Sequence, residues 1–425
     1  MLRPAARRAS AVLVLMAVCA SGIPAAQSQP ATPSIRLPRP TGPFAVGTTA
    51  FRLEDPSRPE PFAESPDARR VIEVVAWYPS IGGASGAAAP YLREGREEAR
   101  TFARLMRLPD DALDYLADIR TWAIVDAPPR SEGRWPVLLF SHGYTAVASS
   151  YTALLEEIAS HGYVVLSVVH PFEAVAAALA DDRVATMLDA KGQVRTHIRD
   201  VLGEWASEDE TMAAVTAARD ENARLEILRK YLATLRRTGD VVDRWVIDTR
   251  LVLDRMPTLA TGTAANLASR LDLGNVGALG HSMGGVVAAQ FCSEDRRCRA
   301  AANLDGIPQY GSLVDTERTR PFLMVYSERP GRIGASDVIY QRSARPYVRV
   351  DVAGTGHLDF SDMVLWDGPL RDRPLFGTLA GEKAVAITRQ IVVEFFEREL
   401  RQRPAPLLSG RTEVPGVSVR SPSTR

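Results

Sequence analysis

Residues 280–284 read Gly-His-Ser-Met-Gly, within GALGHSMGGVVAA (277–289). One serine among small residues suits a sharp strand-to-helix turn that exposes the Ser282 hydroxyl. Gly280 and Gly284 remove the Cβ atoms such a turn would force together. NVGALG before the serine has the character of a buried strand, and VVAAQFC after it that of a buried helix. That context separates a nucleophile from a mere glycine-rich turn.

A serine hydroxyl is a weak nucleophile and needs a base, itself oriented by an acid. The six histidines are 142, 161, 170, 197, 281 and 357. His357, in VDVAGTGHLDF after the last predicted strand, is the expected base; His281 should point away from the attacking oxygen. Two acids preserve the order serine, acid, histidine. Asp305 in NLDG follows the strand after the elbow helix, and Glu328 in YSERPG follows the next strand. Asp305 is preferred as the shorter partner, because Arg329 and Pro330 suggest an exposed turn around Glu328. The developing oxyanion needs donors. The backbone N–H of Met283 is one, and that of Tyr144, in Ser141-His142-Gly143-Tyr144, is the other. The bland reading of that loop is a tight turn with a hydrogen-bonding histidine, a part His142 also suits.

These residues must be held by elements, and the hydrophobic pattern supplies them. Short apolar runs predict strands: VIEVVAWY (71–78), PVLLFS (136–141), YVVLSVV (163–169), NVGALG (275–280), RAAANL (299–304), PFLMVYS (321–327) and YVRVDV (347–352). Several are apolar throughout, as strands covered on both faces must be. Helical stretches separate them, among them 149–162 with a serine cap, one around Val242–Met256, and a last one over about 381–401. Strands alternating with helices predict an α/β fold, a mostly parallel sheet flanked by helices. The interval 171–267 is too long for a simple crossover and reads as a helical insertion near the site. A second insertion, about 90–122, should border the same site. Residues 27–45 read as an extended lead-in, 46–402 as one domain, and 403–425 as a disordered tail.

The 425 residues carry 51 basic and 51 acidic side chains, which gives no basis for nucleic-acid binding. Residues 1–26 have the layout of a secretory signal peptide: Arg3, Arg7 and Arg8, then AVLVLMAVCA, then small residues at Ala25 and Ala26. A periplasmic or secreted protein is therefore expected. No later stretch is long and apolar enough to span a bilayer, although peripheral lipid contact is compatible with the pattern. In an oxidising compartment Cys292 and Cys298 are expected to pair, the alternative being two buried thiols.

VLLFSHGYTAVASSYTALLEEIASHGYVVLSV, GHSMGG, NLDG and GTGHLDFSD resemble the platelet-activating factor acetylhydrolase family (group VII phospholipases A2) over roughly residues 70–400. The resemblance implies the α/β-hydrolase fold and a calcium-independent serine esterase. Matched residue by residue, it implies Ser282 as nucleophile, Asp305 rather than Glu328 as acid, His357 as base, and Tyr144 and Met283 as oxyanion donors. No metal or organic cofactor is implied. The chain departs from the mammalian enzymes at VVHPFEAVAA, where they carry a charged, arginine-containing stretch, so their preference among phospholipids does not transfer. GHSMGG is equally at home in cutinase-like and polyester hydrolases. The expected function is a serine ester hydrolase acting through an acyl-enzyme on short-chain or phospholipid-type acyl esters. Alternatives are a cutinase-, polyester-hydrolase- or lipase-like esterase, a serine peptidase or amidase, and a non-catalytic binding protein on the same fold.

Overall fold

The computed structural model describes residues 35–420, apart from 180–182, 260–261, 307–310, 316–319, 341–345, 367–369 and 371–372. The expected signal peptide lies outside the described residues. Thirteen strands are present among them: β1 (Ala45–Pro59), β2 (Arg69–Ser80), β3 (Ala88–Pro90), β4 (Arg120–Val125), β5 (Trp135–Ser141), β6 (Val164–Val169), β7 (Ala176–Ala178), β8 (Val184–Thr186), β9 (Leu271–His281), β10 (Cys298–Leu304), β11 (Phe322–Tyr326), β12 (Tyr347–Val352) and β13 (Val417–Arg420). Eleven form one sheet in the order β13-β12-β11-β10-β9-β5-β6-β2-β1-β4-β3, and β7 pairs with β8 as a separate hairpin. From β12 to β6 every pairing is parallel. β6 and β11 are buried at every residue, as two-sided cover demands.

After β5 the chain adds β6 on one side, then returns to place β9 on the other. Loops leaving β5 and β9 therefore diverge at the C-terminal edge of the sheet, and the crevice between them is where such sheets bind ligands. Ser141–Tyr144 and Ser282 sit at that crevice.

Four expectations need correction. The stretch 403–425 is not a disordered tail over its described part. Ala405, Leu407 and Leu408 are buried, and β13 pairs antiparallel with β12 from Arg349↔Arg420 to Val352↔Val417, covering an otherwise open sheet edge. The insertion is not helical from residue 171. It begins with a loop and the β7–β8 hairpin, and its helices start at Thr196: Thr196–Glu204, Glu208–Ala217, Glu221–Leu232, Arg236–Arg255 and Gly262–Ala268. The helix expected over 149–162 has no serine cap. A 3-10 turn (Ala148–Tyr151) leads into Thr152–Ser160, with Tyr151 at the cap position. The longest strand, β1, falls where the hydrophobic pattern predicts none, because its burial alternates weakly and it includes Arg52, Pro56 and Arg58. The described residues before β1 are tied down: the Thr41 N–H donates to Glu157 (2.9 Å) and Leu37 is buried.

Cys292 and Cys298 form a disulfide with Cα atoms 4.9 Å apart, clamping the end of the elbow helix (Met283–Glu294) to the start of β10. Closing so short a loop stabilises by about 2 kcal/mol on the chain-entropy model. Among the described residues no helix is long and apolar enough to cross a membrane.

The loop carrying His357 is pinned to the helix Thr152–Ser160 by Asp362, whose Oδ2 accepts the Ala153 N–H at 3.0 Å. Burial pushes the Asp362 carboxyl up to about 8, against the pull of that hydrogen bond and of Arg389. A carboxyl raised in the native state keeps its proton where the unfolded chain, titrating near 4, has lost it. Its stabilisation is complete below about pH 4 and is lost as pH rises through about 8. Asp362→Asn holds the neutral form at every pH. The melting-temperature difference, variant minus wild type, should therefore grow in the variant's favour between about pH 4 and 8 and level off above. A difference independent of pH across that window would show that Asp362 does not stay protonated in the fold.

Candidate active site

β9 ends at His281, and the helix Met283–Glu294 begins one residue after Ser282, so Ser282 alone makes the turn. Its φ of 54° and ψ of −124° lie where side-chain-bearing residues rarely go. The backbone is held there by the Ser282 N–H donating to Leu304 (2.9 Å) and the Gly285 N–H donating to the Ser282 carbonyl (3.0 Å). The glycines are sterically required. A Cβ on Gly280 would strike the Gly284 backbone, and one on Gly284 would strike the Ser141 carbonyl. Thus the elbow packs directly on the end of β5.

Asp305 follows β10, buried and also at positive φ (49°). Its Oδ2 accepts from His357 Nδ1 at 2.8 Å and from the Ser327 hydroxyl at 2.9 Å. Its Oδ1 accepts from the Ser327 N–H (2.9 Å) and from Arg329 (3.0 Å). Burial alone would raise this carboxyl, but the Arg329 guanidinium and the His357 contact hold it far below the usual carboxylate range. Asp305 is therefore an anion at any neutral pH. A carboxylate only accepts, so the His357 Nδ1 carries a proton, and Nε2 is the nitrogen left to exchange one. Glu328, the other candidate acid, does not face His357: its carboxylate accepts the Gly354 N–H at 3.0 Å, shaping the turn before His357.

His281, not expected to serve as the base, lines the same cavity as Ser282 and has both ring nitrogens engaged. Its Nε2–H donates to the His357 carbonyl (2.9 Å), and its Nδ1 accepts from the Tyr151 hydroxyl (2.9 Å). That hydroxyl in turn accepts the Gly143 N–H (3.1 Å). Burial drives the His281 ring down to about 3, so it remains neutral and keeps this arrangement. One ring thus ties the His357 loop to the loop after β5.

In that loop His142 is fully buried and its Nδ1–H donates to the Gly143 carbonyl at 2.7 Å. Carbonyl and N–H of one trans peptide point in opposite directions. Drawing the Gly143 carbonyl toward His142 therefore turns the Tyr144 N–H the other way. Neither that N–H nor that of Met283, the first residue of its helix, has a hydrogen-bond partner recorded among the described residues.

Ser282, His357, Gly143 and Tyr144 line a single cavity of ≈ 70 Å³. Its remaining wall is largely apolar. Phe102 and Met106 come from the segment 90–122, Leu202 and Trp205 from the long insertion, and Met363 and Leu375 from the segment after His357. Both insertions therefore reach the site. No hydrogen bond joins Ser282 to His357 in the structure; such contacts are commonly long in unliganded sites and tighten around substrate. Ser282, Asp305 and His357, and the residues Tyr144 and Met283, are all singled out by the sequence. Ser327, Arg329 and the bridging role of His281 are not; along the chain Arg329 suggests only an exposed turn.

The family model of platelet-activating factor acetylhydrolase, isoform II, matches residues 31–403. The chain belongs to this family. It is accordingly a carboxylic ester hydrolase with the α/β-hydrolase fold. It is 23% identical over 380 residues to platelet-activating factor acetylhydrolase of Cavia porcellus, spanning 86% of this chain and 78% of that protein. It is 22% identical over 318 residues to the Canis lupus familiaris protein of the same name, spanning 72% and 68%. Among solved structures it resembles a ferulic acid esterase from Streptomyces cinnamoneus, with a TM-score of 0.66 and 27% identity over 90% of this chain and 98% of that one.

Proposed function

We propose that the protein is an exported serine esterase that cleaves short acyl esters through an acyl-enzyme. The observation that carries this reading is the convergence on one small cavity of a strained serine, a histidine bonded through Nδ1 to a buried carboxylate, and Tyr144. Met283, the second residue with an N–H to offer, directly follows the serine. Ser282 Oγ attacks the ester carbonyl carbon while its proton passes to His357 Nε2. The carbonyl oxygen gains the displaced π electrons and is received by the N–H groups of Tyr144 and Met283. Collapse breaks the ester C–O bond, and His357 returns the proton to the leaving alkoxide. Water, deprotonated by the same nitrogen, then adds to the acyl-serine, and the acid leaves as Ser282 regains its proton. Asp305 keeps the imidazole in the required tautomer and offsets its transient positive charge.

The cavity volume supports the short acyl group: ≈ 70 Å³ is far below the roughly 300–1,000 Å³ of sites that bury drug-sized ligands. Export is supported by the N-terminal composition and by the Cys292–Cys298 disulfide. A second reading, esters of an aromatic acid, is favoured by Phe102, Tyr144 and Trp205 in the cavity wall and by the likeness to a ferulic acid esterase.

Initial rates on p-nitrophenyl esters from acetate to palmitate, beside a phospholipid with a short oxidised acyl chain and methyl ferulate, test the proposal. The expected result is a sharp optimum at acetate or butyrate. Rates rising toward palmitate would overturn the short-acyl assignment in favour of a lipase- or polyester-hydrolase-like site, and preference for ferulate would favour the aromatic reading. A matched p-nitroanilide should be cleaved far more slowly than the ester, since equal rates would mark an amidase.

A further inference from the structure

Beside the loop after β5 lies a cluster of charged side chains, in which Arg70, Glu60, Glu173, His170 and Asp248 are buried and Arg58 and Arg244 partly so. Asp248, on the insertion helix Arg236–Arg255, is fully buried. It accepts from Arg70 (2.6 Å), from Arg58 (2.8 Å) and from His170 Nδ1 (2.8 Å). Arg70 also reaches Glu60 (2.7 Å). Trp245, one helical turn earlier, stacks flat on His170, with ring centres 3.9 Å apart and planes 11° from parallel. Its indole N–H donates to Glu173 at 2.9 Å, and Arg244 holds the same carboxylate.

Such a cluster is poorly explained as a source of stability. Removing this many charges from water costs about as much as their mutual attraction returns, and apolar replacements of similar size are often no worse. What it does provide is a fixed position for each member, and two members hold the loop that carries Tyr144. The His170 N–H donates to His142 Nε2 (3.4 Å), the ring that draws in the Gly143 carbonyl. The Glu173 carbonyl accepts the Thr145 N–H (3.1 Å), and the Val175 N–H donates to the Ala146 carbonyl (3.1 Å). The Gly143–Tyr144 peptide is thus gripped on both sides by the segment 170–175, and that segment is anchored through Asp248, Trp245 and Arg244 of the insertion.

We propose that Asp248 and Trp245, which do not line the cavity, are positioning residues for the Tyr144 N–H, acting through His170, Glu173 and His142. The insertion then sets the rate of the chemical step as well as the cavity wall. The inference rests on the reading of Tyr144 as an oxyanion donor. It predicts a defect confined to the transition state: kcat falls while KM holds, because the ground-state carbonyl gains less from that donor than the oxyanion does.

The test compares wild type with Trp245→Phe and Asp248→Asn. The first keeps an aromatic ring against His170 and removes the bond to Glu173 with part of the ring area against His142 and Tyr144, but no charge, so it serves even where loss of a buried charge prevents folding of the second. Competent sites are counted by stoichiometric reaction with diethyl p-nitrophenyl phosphate. Per titrated site, kcat on p-nitrophenyl acetate should fall by roughly 10- to 100-fold with KM changed less than threefold. Affinity for a trifluoromethyl ketone, which forms an oxyanion on Ser282, should weaken by a similar factor while inhibition by acetate is unchanged. A lower melting temperature with kcat per site and ketone affinity within twofold of wild type would overturn the proposal and leave the cluster purely structural. Failure of wild type to be titrated would instead defeat the serine mechanism, and this inference with it.

Discussion

Ser282→Ala is expected to lower kcat on p-nitrophenyl acetate by roughly four to six orders of magnitude, while the melting temperature moves by no more than a few degrees. The two halves of this expectation have separate causes. Removing Oγ deletes the atom that forms the acyl bond, and neither water nor a neighbouring group occupies the same strained position. Stability is nearly unaffected because the hydroxyl has no recorded hydrogen bond among the described residues, and alanine meets the same backbone strain as serine at φ 54°. Intact mass after diethyl p-nitrophenyl phosphate is the direct check. Wild type should gain one diethylphosphoryl group and the variant none. A variant that still turns over, or still gains the adduct, would place the nucleophile elsewhere.

Asp305→Asn should cost nearly as much, about 10⁴-fold in kcat, although it changes a single atom. Three donors besides His357 surround the carboxylate. The Ser327 N–H and Arg329 converge on Oδ1, so an asparagine must place its carbonyl oxygen there. Its NH2 group then faces His357 Nδ1, which has to accept rather than donate. The imidazole is driven to the opposite tautomer, with the proton on Nε2, the nitrogen that must receive one from Ser282. The substitution also removes the carboxylate in contact with His357, so the imidazolium formed during reaction loses its counter-charge. Steady-state rates across pH, with the diethyl p-nitrophenyl phosphate reaction as an independent measure of nucleophile activation, check this. Retention of a tenth or more of wild-type kcat would mean that Asp305 does not orient the base.

Both expectations concern residues that the chain singles out by their type and spacing, for a reason that can be stated. The elbow is a local steric problem. Gly280 and Gly284 are needed because of contacts made within a few residues of Ser282 and at the end of the strand beside it, so the requirement is written into consecutive residues. The buried parallel strands announce themselves as unbroken apolar runs, and once their order is known Asp305 and His357 fall on the loops that leave two of them. β1 and β4 are harder to read, since partial exposure lets polar residues interrupt the pattern. The order of the strands follows from the sequence only through the family resemblance.

What the sequence alone determined is the set of candidate residues: a serine on a forced turn, a histidine and an aspartate in chain order after it, and strands able to bring them to one edge. Tertiary structure decided which groups serve those residues. Arg329 has the sequence surroundings of a surface turn, yet its guanidinium meets Asp305, 24 residues earlier. Arg70 and Asp248, 178 residues apart, carry no mark of each other along the chain. The tail after residue 403 lacks any periodicity, yet its four-residue strand is held by hydrogen bonds to an edge that another part of the chain creates. Local sterics and hydrophobic periodicity are properties of neighbouring residues. The pairing of a buried charge, the covering of a sheet edge and the volume of a cavity exist only after distant segments have met.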